Sequence, residues 1–245
     1  MEDIINIALK RSLAERGEKD GPLRYLEVGV HKGDTFKAVS SNIQGVEVIK
    51  EGVDPYGPFG EVHRMTSQIF FAVNEAFWKK TYDVIFLDAL HFSLILNQEI
   101  DESLKILNKN GVLILDDTMP KSEASGSIEE ASLVGFQKNV SYPLFKEYDP
   151  MDPEASYKYF KDFPGYPEVN GDCWKSVARL RTTRPDLKVG SFRLGDGRGC
   201  TLAVWEPQTL LEEFIEPDQM DWSYFKANEN AILNITTLDN VLYKD

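Results

Sequence analysis

Acidic residues stand at or near the ends of several short apolar runs in this sequence, and they are the first candidates for chemistry. Glu27 lies in the first run, and later runs end at Asp54, at Asp88 and at the pair Asp116-Asp117. Ligands of open α/β sheets bind beyond the carboxyl ends of the strands. We therefore expect these acids around one pocket, which would suit a cation, a ribose diol or a divalent metal better than a phosphate.

A glycine-bearing turn follows the first run, with the pattern acidic-x-Gly-x-x-x-Gly from Glu27 through Gly29 to Gly33. Glycine permits positive φ and close approach of the backbone to a ligand. The nicotinamide fingerprint G-x-G-x-x-G is missing here, and Glu27 would repel a pyrophosphate. The segment suits a cationic ligand, although a purely structural turn explains it equally well.

Asp54 ends the second predicted strand and precedes a Pro-Tyr-Gly turn. A carboxylate at this place can accept two hydrogen bonds from a ribose diol. The alternative is an aspartate that only caps the turn. Ribose binding is favoured because position and residue type agree.

Three carboxylates are expected to crowd together at the ends of two later strands. Asp88 and Asp116 end strands that should be neighbours, ~5 Å apart, and Asp117 follows directly. Such a group repels itself unless a proton or a cation joins it, and its oxygens suit Mg²⁺, Mn²⁺ or Ca²⁺. Asp116 and Asp117 would face opposite ways in a regular strand, so joint ligation requires the strand to end there. Otherwise one of them caps the next turn.

His91 is the histidine best placed for catalysis, three residues after Asp88. Its ordinary pKa of ~6.5 suits a general base, and it could equally ligate a metal or cap the following helix. His31 is expected to be exposed or on the cofactor side of the turn, and His63 to be structural.

Strand and helix patterns alternate along the chain and predict an α/β fold: a Rossmann-like three-layer sandwich with a mostly parallel sheet. Continuous apolar runs at 84–87 and 112–115 suit strands buried on both faces. A short turn joins the runs 188–194 and 200–205, so this last pair is an antiparallel hairpin. Helices are predicted over the ranges 3–16, 35–41, 68–79, 93–108, 173–180 and 208–215, and further strands near 24–30, 46–53 and 63–65.

The chain has 245 residues and a formal net charge of -13, from 40 acidic and 27 basic side chains. The acid excess disfavours nucleic acid and anionic membranes as partners. Two cysteines form no disulfide framework or zinc motif. The absence of a leader-like or membrane-spanning apolar run makes a cytoplasmic protein the expectation.

Two stretches depart from the alternating rhythm. Residues 118–170 are rich in Pro, Gly, Ser and aromatics, and an insertion of this length is usually functional. It could be a lid over a ring-shaped acceptor, or its aromatic side chains could simply pack together or form an oligomer contact. A tail follows at about 207–245.

In their order along the chain, six motifs resemble class I S-adenosylmethionine-dependent methyltransferases and, more narrowly, methyltransferase family 24. The resemblance covers about 22–206 apart from most of 121–169. The motifs are Leu26-Glu27-Val28-Gly29-Val30-His31-Lys32-Gly33-Asp34-Thr35, Gly52-Val53-Asp54-Pro55, Met65-Thr66-Ser67-Gln68-Ile69-Phe70-Phe71, Tyr82-Asp83-Val84-Ile85-Phe86-Leu87-Asp88-Ala89-Leu90-His91, Asn110-Gly111-Val112-Leu113-Ile114-Leu115-Asp116-Asp117-Thr118-Met119-Pro120 and Gly171-Asp172-Cys173-Trp174-Lys175.

The resemblance implies a seven-stranded sheet in a single methyltransferase domain over 1–245. It also implies S-adenosylmethionine as cofactor, together with Mg²⁺ or another divalent cation where the metal interpretation holds. Family members often have an acid where this chain has Gln68 and a glycine where it has Ala89. Asp172 and Trp174 either face the pocket or serve as a helix cap and a core residue.

The predicted site is divided among three roles. Glu27, Gly29 and Gly33 would lie along the methionine part of the cofactor, Asp54 at the ribose and Ser67 by the adenine. The predicted catalytic residues are His91 and Asp88. The predicted cofactor-binding residues are Glu27, Gly29, Gly33, Asp54, Ser67 and Asp88. The predicted metal ligands are Asp88, Asp116 and Asp117.

The predicted reaction is methyl transfer to a hydroxyl of a small-molecule acceptor such as a sugar or a natural product, with metal assistance left open. The expected partners are this acceptor and neither nucleic acid nor membrane, and a homo-oligomer also stays open. The alternatives are a non-catalytic cofactor-binding protein and a nucleotide-sugar or nicotinamide enzyme on the same sheet, since fold alone does not fix function.

Overall fold

The structure is a computed structural model. It describes all residues except 17–20, 56, 58–59, 61, 89–90, 127–169, 196–198, 212–214, 216–218 and 244–245. Most of the 118–170 insertion, and Ala89, lie outside the described residues.

Among the described residues, a central sheet of eight strands forms the middle layer. In chain order the strands are β1 (Leu23–Val28), β2 (Asn42–Ile43), β3 (Val46–Val53), β4 (Val62–His63), β5 (Tyr82–Leu87), β6 (Leu107–Leu115), β7 (Lys188–Arg193) and β8 (Gly199–Val204). They lie in the order β2-β3-β1-β5-β6-β8-β7, and β4 also pairs with β3. The pairs among β1, β3, β4, β5 and β6 are parallel, whereas β8 is antiparallel to both β6 and β7.

Helices cover both faces of this sheet. They are α1 (Glu2–Arg16), α2 (Asp34–Ala38), α3 (Ser67–Val73, continued by a π-helical turn over Asn74–Trp78), α4 (Ser93–Ile106), α5 (Glu123–Gly126), α6 (Trp174–Thr183), α7 (Trp222–Leu233) and α8 (Leu238–Leu242). One core joins the sheet to α1, α2 and α8, and the other joins it to α3, α4, α6 and α7. Alternate residues of β5 enter the two cores, as the period of two in a strand requires: Ile85 and Leu87 on one side, Val84 and Phe86 on the other.

The predicted fold class is therefore confirmed, with one strand more than expected. The additional strand is β2, which forms a two-residue antiparallel ladder with the start of β3. No helix among the described residues is long and apolar enough to cross a membrane.

The predicted end of the helix before β6 was wrong. That helix was expected to reach about residue 108, but α4 ends at Ile106 and β6 already begins at Leu107. Leu107 pairs with Tyr82 at the start of β5, and the side-chain amide of Asn108 donates to Asp83 Oδ1 at 2.9 Å. These tertiary contacts extend the strand back through residues whose local pattern is helical.

The helix predicted over about 208–215 is also absent from the described residues 207–211. Gln208 explains the difference, because its side-chain amide donates to the carbonyl oxygens of Leu180 and Arg184 at 3.2 and 3.0 Å. It thereby adds side-chain hydrogen bonds to carbonyl groups at the carboxyl end of α6 that also accept the backbone amides of Arg184 and Leu187. The helices of the tail lie later, at α7 and α8.

Candidate active site

The carboxyl ends of β1, β3, β5 and β6 are level with one another. Val28 pairs with both Val53 and Leu87, and Leu87 pairs with Leu115. The ladders continue for one more hydrogen bond, since the next backbone amides donate back to the neighbouring strands. These bonds are Gly29 N to Val53 O at 2.8 Å, Asp88 N to Val28 O at 2.8 Å and Asp116 N to Leu87 O at 3.0 Å.

The glycine turn after β1 has the backbone conformation that its sequence predicts. Gly29 and Gly33 have φ of 92° and 76°, and His31 between them is also left-handed at 48°. The exposed His31 directs its backbone amide to Asp54 Oδ2 at 2.6 Å. The turn is thus fixed to the end of β3 by the carboxylate predicted to bind ribose.

Glu27 is buried at the sheet face next to this turn, with 2% of its surface exposed. The Tyr25 hydroxyl, two residues back on the same strand face, donates to Glu27 Oε2 at 2.5 Å. Burial raises the pKa of Glu27 to about 8; the Tyr25 hydrogen bond opposes this effect, while the negative charges of Asp88 and Asp54 add to it. Two of the predicted cofactor-binding acids, Asp54 and Asp88, therefore act electrostatically on the third, Glu27.

Asp88, His91 and Asp117 form a compact group in which each side chain offers one ligand atom. His91 Nε2 is 3.5 Å from Asp88 Oδ1 and 3.5 Å from Asp117 Oδ2. The three ligand atoms lie within 4.8 Å of one another. The three side chains are partly buried, and the Nε2 atom of His91 is itself buried among them.

The structure brings Asp117, rather than Asp116, into this group. The strand ends at Leu115, and Asp117 is in the left-handed region with φ of 52°. This conformation breaks the alternation of the strand after Asp116, which is buried with 5% of its surface exposed. The assignment of Asp116 as a ligand thus stays a prediction.

The tripeptide Asn170-Gly171-Asp172 adjoins this group where the chain returns from the insertion. Asn170 Nδ2 donates to Asp117 Oδ1 at 2.8 Å. Asp172, 1% exposed, accepts hydrogen bonds from the backbone amide and the hydroxyl of Ser93, both at 2.7 Å. Asp172 therefore caps α4, the helix that the sequence analysis left open to capping by His91.

The Ser67 side chain, at the start of α3, is hydrogen-bonded to a carboxylate of the neighbouring helix. Its hydroxyl donates to Glu99 Oε1, on α4, at 2.6 Å. Burial raises the pKa of Glu99 to about 7, whereas the Ser67 hydrogen bond and nearby His91 lower it. Ser67 and Glu99 both line a cavity of about 240 Å³ between α3 and α4. Two further acidic residues, Glu75 and Glu102, also line this cavity.

Trp174 is a core residue and not part of the pocket lining. It is 1% exposed, its indole nitrogen donates to the Gly126 carbonyl at 3.0 Å, and its ring lies 4.6 Å from that of Phe225. Its neighbour Cys173 is also buried. Burial first, and then the charges of Asp172, Asp117, Glu99 and Asp88, raise the pKa of this thiol.

Sequence reasoning missed three polar residues at this edge of the sheet. Tyr25 could have been found, because two residues along a strand return to the same face. Glu99 could have been found too, because it lies on the helix face marked by Leu96 and Ile100. Nothing local connects Asn170 with Asp117, because 53 positions separate them.

Comparisons with known proteins give structural likenesses only. No model of a known protein family matches the sequence, and no curated protein matches it. Among solved structures, the chain is similar to an O-methyltransferase from Bacillus cereus in complex with SAH, with 15% identity, 84% of this chain and 90% of that chain covered, and a TM-score of 0.45. It is also similar to the O-methyltransferase TomG from Streptomyces achromogenes in complex with SAM, with 13% identity, 81% of this chain and 78% of that chain covered, and a TM-score of 0.41. A third similar structure is human methyltransferase-like protein 13 in complex with SAH, with 16% identity, 94% of this chain and 89% of that chain covered, and a TM-score of 0.42.

Proposed function

We propose that this protein transfers a methyl group from S-adenosylmethionine to a hydroxyl group of a small-molecule acceptor. The observation that carries the proposal is the level ending of β1, β3 and β5. It gathers Glu27, Asp54 and Asp88 beside a glycine turn at one edge of the sheet. A cationic methionine end and a ribose diol match these acids, whereas a dinucleotide pyrophosphate does not.

The cofactor side of the pocket would be held by the residues that precede and follow the turn. Glu27 would accept a hydrogen bond from the ammonium group of the methionine moiety. Gly29 and Gly33 would allow the backbone to approach the cofactor closely. Asp54 would bind the ribose hydroxyls through the carboxylate that also holds His31 N. Ser67, at the start of α3, would lie by the adenine.

Methyl transfer needs an acceptor oxygen in line with the sulfonium and a place for the hydroxyl proton. The oxygen forms a bond to the methyl carbon, and the carbon–sulfur bond breaks with its electron pair passing to sulfur. The His91 imidazole would take the hydroxyl proton, and Asp88 and Asp117, whose carboxylate oxygens lie 3.5 Å from its Nε2, would stabilise the resulting imidazolium. Positioning of the two reactants supplies much of the rate.

The same three residues fit a divalent cation. Two carboxylate oxygens and one imidazole nitrogen lie within 4.8 Å of one another on partly buried side chains, a donor set that suits Mn²⁺ and related ions. When bound, such an ion would lower the pKa of an acceptor hydroxyl. Asp88, His91 and Asp117 would hold it, and His91 would then no longer be free to take a proton.

We also propose that residues 1–245 form one domain. The acceptor would be a small molecule, and neither nucleic acid nor a membrane would be a partner. The formal net charge of -13 supports the exclusion of polyanions. A cytoplasmic location remains part of the same proposal.

Ligand binding and turnover test the function separately. Titration calorimetry should show binding of S-adenosylhomocysteine and no binding of NADH or a nucleotide sugar. Radiolabelled methyl transfer to a panel of sugars and phenols, with and without added Mn²⁺, should then show acceptor-dependent turnover. Binding without turnover on any acceptor would favour a non-catalytic cofactor-binding protein, and absence of binding would refute the proposal.

A further inference from the structure

Asp117, just before the 118–170 insertion, and Asn170, the last residue of that insertion, are hydrogen-bonded to each other at the candidate site. Asn170 is 9% exposed, and its amide donates to Asp117 Oδ1 at 2.8 Å. The other oxygen of the same carboxylate, Oδ2, is the atom that lies 3.5 Å from His91 Nε2. The amide thus engages one oxygen of Asp117 while the second faces the group.

Asn170 is itself held in place by the two residues that follow it. Gly171 has φ of 55°, and a Cβ atom there would lie 1.7 Å from the carbonyl oxygen of His91. This packing leaves room for glycine alone. Asp172 then makes two hydrogen bonds to Ser93 in the first turn of α4, so the donor is fixed against the helix that follows His91.

A carboxylate that bears a hydrogen bond on one oxygen offers the other oxygen as a directed, single ligand. Hydrogen-bonding partners behind a ligand typically change metal affinity by ~10–100-fold when removed. We propose that Asn170 is a positioning residue that orients Asp117 as a one-oxygen ligand, so that a divalent cation binds between Asp88, His91 and Asp117. This inference rests on the metal-assisted form of the proposed function.

Mn²⁺ titration of the full chain, followed by electron paramagnetic resonance of the free ion, tests the inference without reference to catalysis. Asn170→Leu keeps the branched shape of the side chain and removes the donor, and Asn170→Ala is a second variant for the case that the larger leucine does not pack. Both are expected to bind Mn²⁺ ~10-fold more weakly or worse. The exposed Asn240→Ala, in the tail, should bind like the wild type.

A purely structural role is separated by Asn74→Ala, which removes two buried hydrogen bonds to the Lys80 backbone and leaves the Asn170–Asp172 segment untouched. It should lower the thermal midpoint more than Asn170→Ala while keeping Mn²⁺ affinity within ~2-fold of the wild type. Equal Mn²⁺ affinity in the wild type and both Asn170 variants would overturn the inference. Absence of Mn²⁺ binding by the wild type would also overturn it, whereas methyl transfer would still be judged by its own cofactor and turnover experiments.

Discussion

The Tyr25 hydroxyl donates a 2.5 Å hydrogen bond to Glu27 Oε2 inside the sheet, where both side chains are almost completely buried. Burial penalises the charged carboxylate, and nearby Asp88 and Asp54 add to this penalty, so the pKa of Glu27 rises to about 8. At neutral pH the ligand-free protein therefore holds Glu27 mainly as the neutral acid. A cationic ligand group would favour its ionisation.

We expect the free energy of unfolding to fall between pH 4.5 and 8 because of Glu27. Below pH 4.5 this group is protonated in both the folded and the unfolded chain. Above it the unfolded chain ionises first, while the folded chain keeps the proton up to a pKa of about 8. Since a pKa difference of one corresponds to about 1.4 kcal/mol, the loss across this interval should exceed ~2 kcal/mol.

Urea unfolding of the wild type and Glu27→Gln at pH 5 and pH 8 measures this contribution. The amide cannot ionise, so the variant should lose less stability over the interval, and exposed Glu47→Gln should behave like the wild type. Tyr25→Phe removes the hydrogen bond that favours the charged form and should steepen the decline. Parallel pH profiles for wild type and Glu27→Gln would contradict the buried neutral acid.

Asp54 should be required for cofactor binding, because its carboxylate lies at the end of β3 and already bonds the turn through His31 N at 2.6 Å. Hydrogen bonds to a charged group are worth ~1.5–3 kcal/mol, and tenfold in affinity corresponds to about 1.4 kcal/mol. Asp54→Ala is therefore expected to weaken S-adenosylhomocysteine binding by ~10–100-fold in calorimetry.

The matched control for this experiment is Asp34→Ala, an exposed acid at the start of α2, just after the same turn. It should leave the affinity unchanged within ~2-fold. Asp54→Asn retains an oxygen that can accept from His31 N but lacks the charge, so it separates support of the turn from ribose binding. Unchanged affinity in folded Asp54→Ala and Asp54→Asn would remove Asp54 from the cofactor site.

The sheet and the edge that carries the acids could be predicted from local pattern. Continuous apolar runs mark β5 and β6, and the acid that follows each run marks where the strand ends. Parallel strands with short connections then bring those ends to one edge. The identity of each apolar run and its order along the chain are enough to place these acids at that edge.

Contacts between distant residues explain what the sequence did not predict. Alternation along a strand could not choose between Asp116 and Asp117, because the choice depends on a left-handed φ at residue 117. The partner of Asp172 is Ser93, 79 positions away, and not an amide of its own helix. Gln208 likewise replaces an expected helix with side-chain bonds to the end of α6.

Gly171 should tolerate no side chain, although it lies outside the predicted site. Its φ of 55° is unfavourable for other residues, and a Cβ there would meet the His91 carbonyl oxygen at 1.7 Å, which is backbone and cannot move freely. Gly21 offers a matched comparison, since its φ is 82° and a Cβ atom at that position would have no heavy atom within 4 Å.

Alanine at Gly21 should cost only the ~1–2 kcal/mol of a left-handed conformation, whereas alanine at Gly171 should cost more than ~3 kcal/mol because clash and strain add. Chemical denaturation measures both values. If part of the Gly171→Ala protein folds, its affinity for the cofactor then shows whether the Asn170–Asp172 segment reaches the methionine side of the pocket. Similar costs at the two positions would mean that the close approach of Gly171 to His91 is not maintained in solution.

The tail beyond residue 207 should be an integral part of the fold, because α7 packs on the helix that follows the Asn170–Asp172 segment. Phe225 is completely buried, and its ring lies 4.6 Å from that of Trp174. Trp174 in turn holds the Gly126 carbonyl. Phe225→Ala is therefore expected to lower the free energy of unfolding by ~3–5 kcal/mol, measured by urea denaturation, whereas exposed Ser223→Ala on the same helix should change it by less than ~0.5 kcal/mol. A small effect of Phe225→Ala would show instead that the tail is an appendage, because a side chain buried against Trp174 cannot be removed without leaving a cavity next to the sheet.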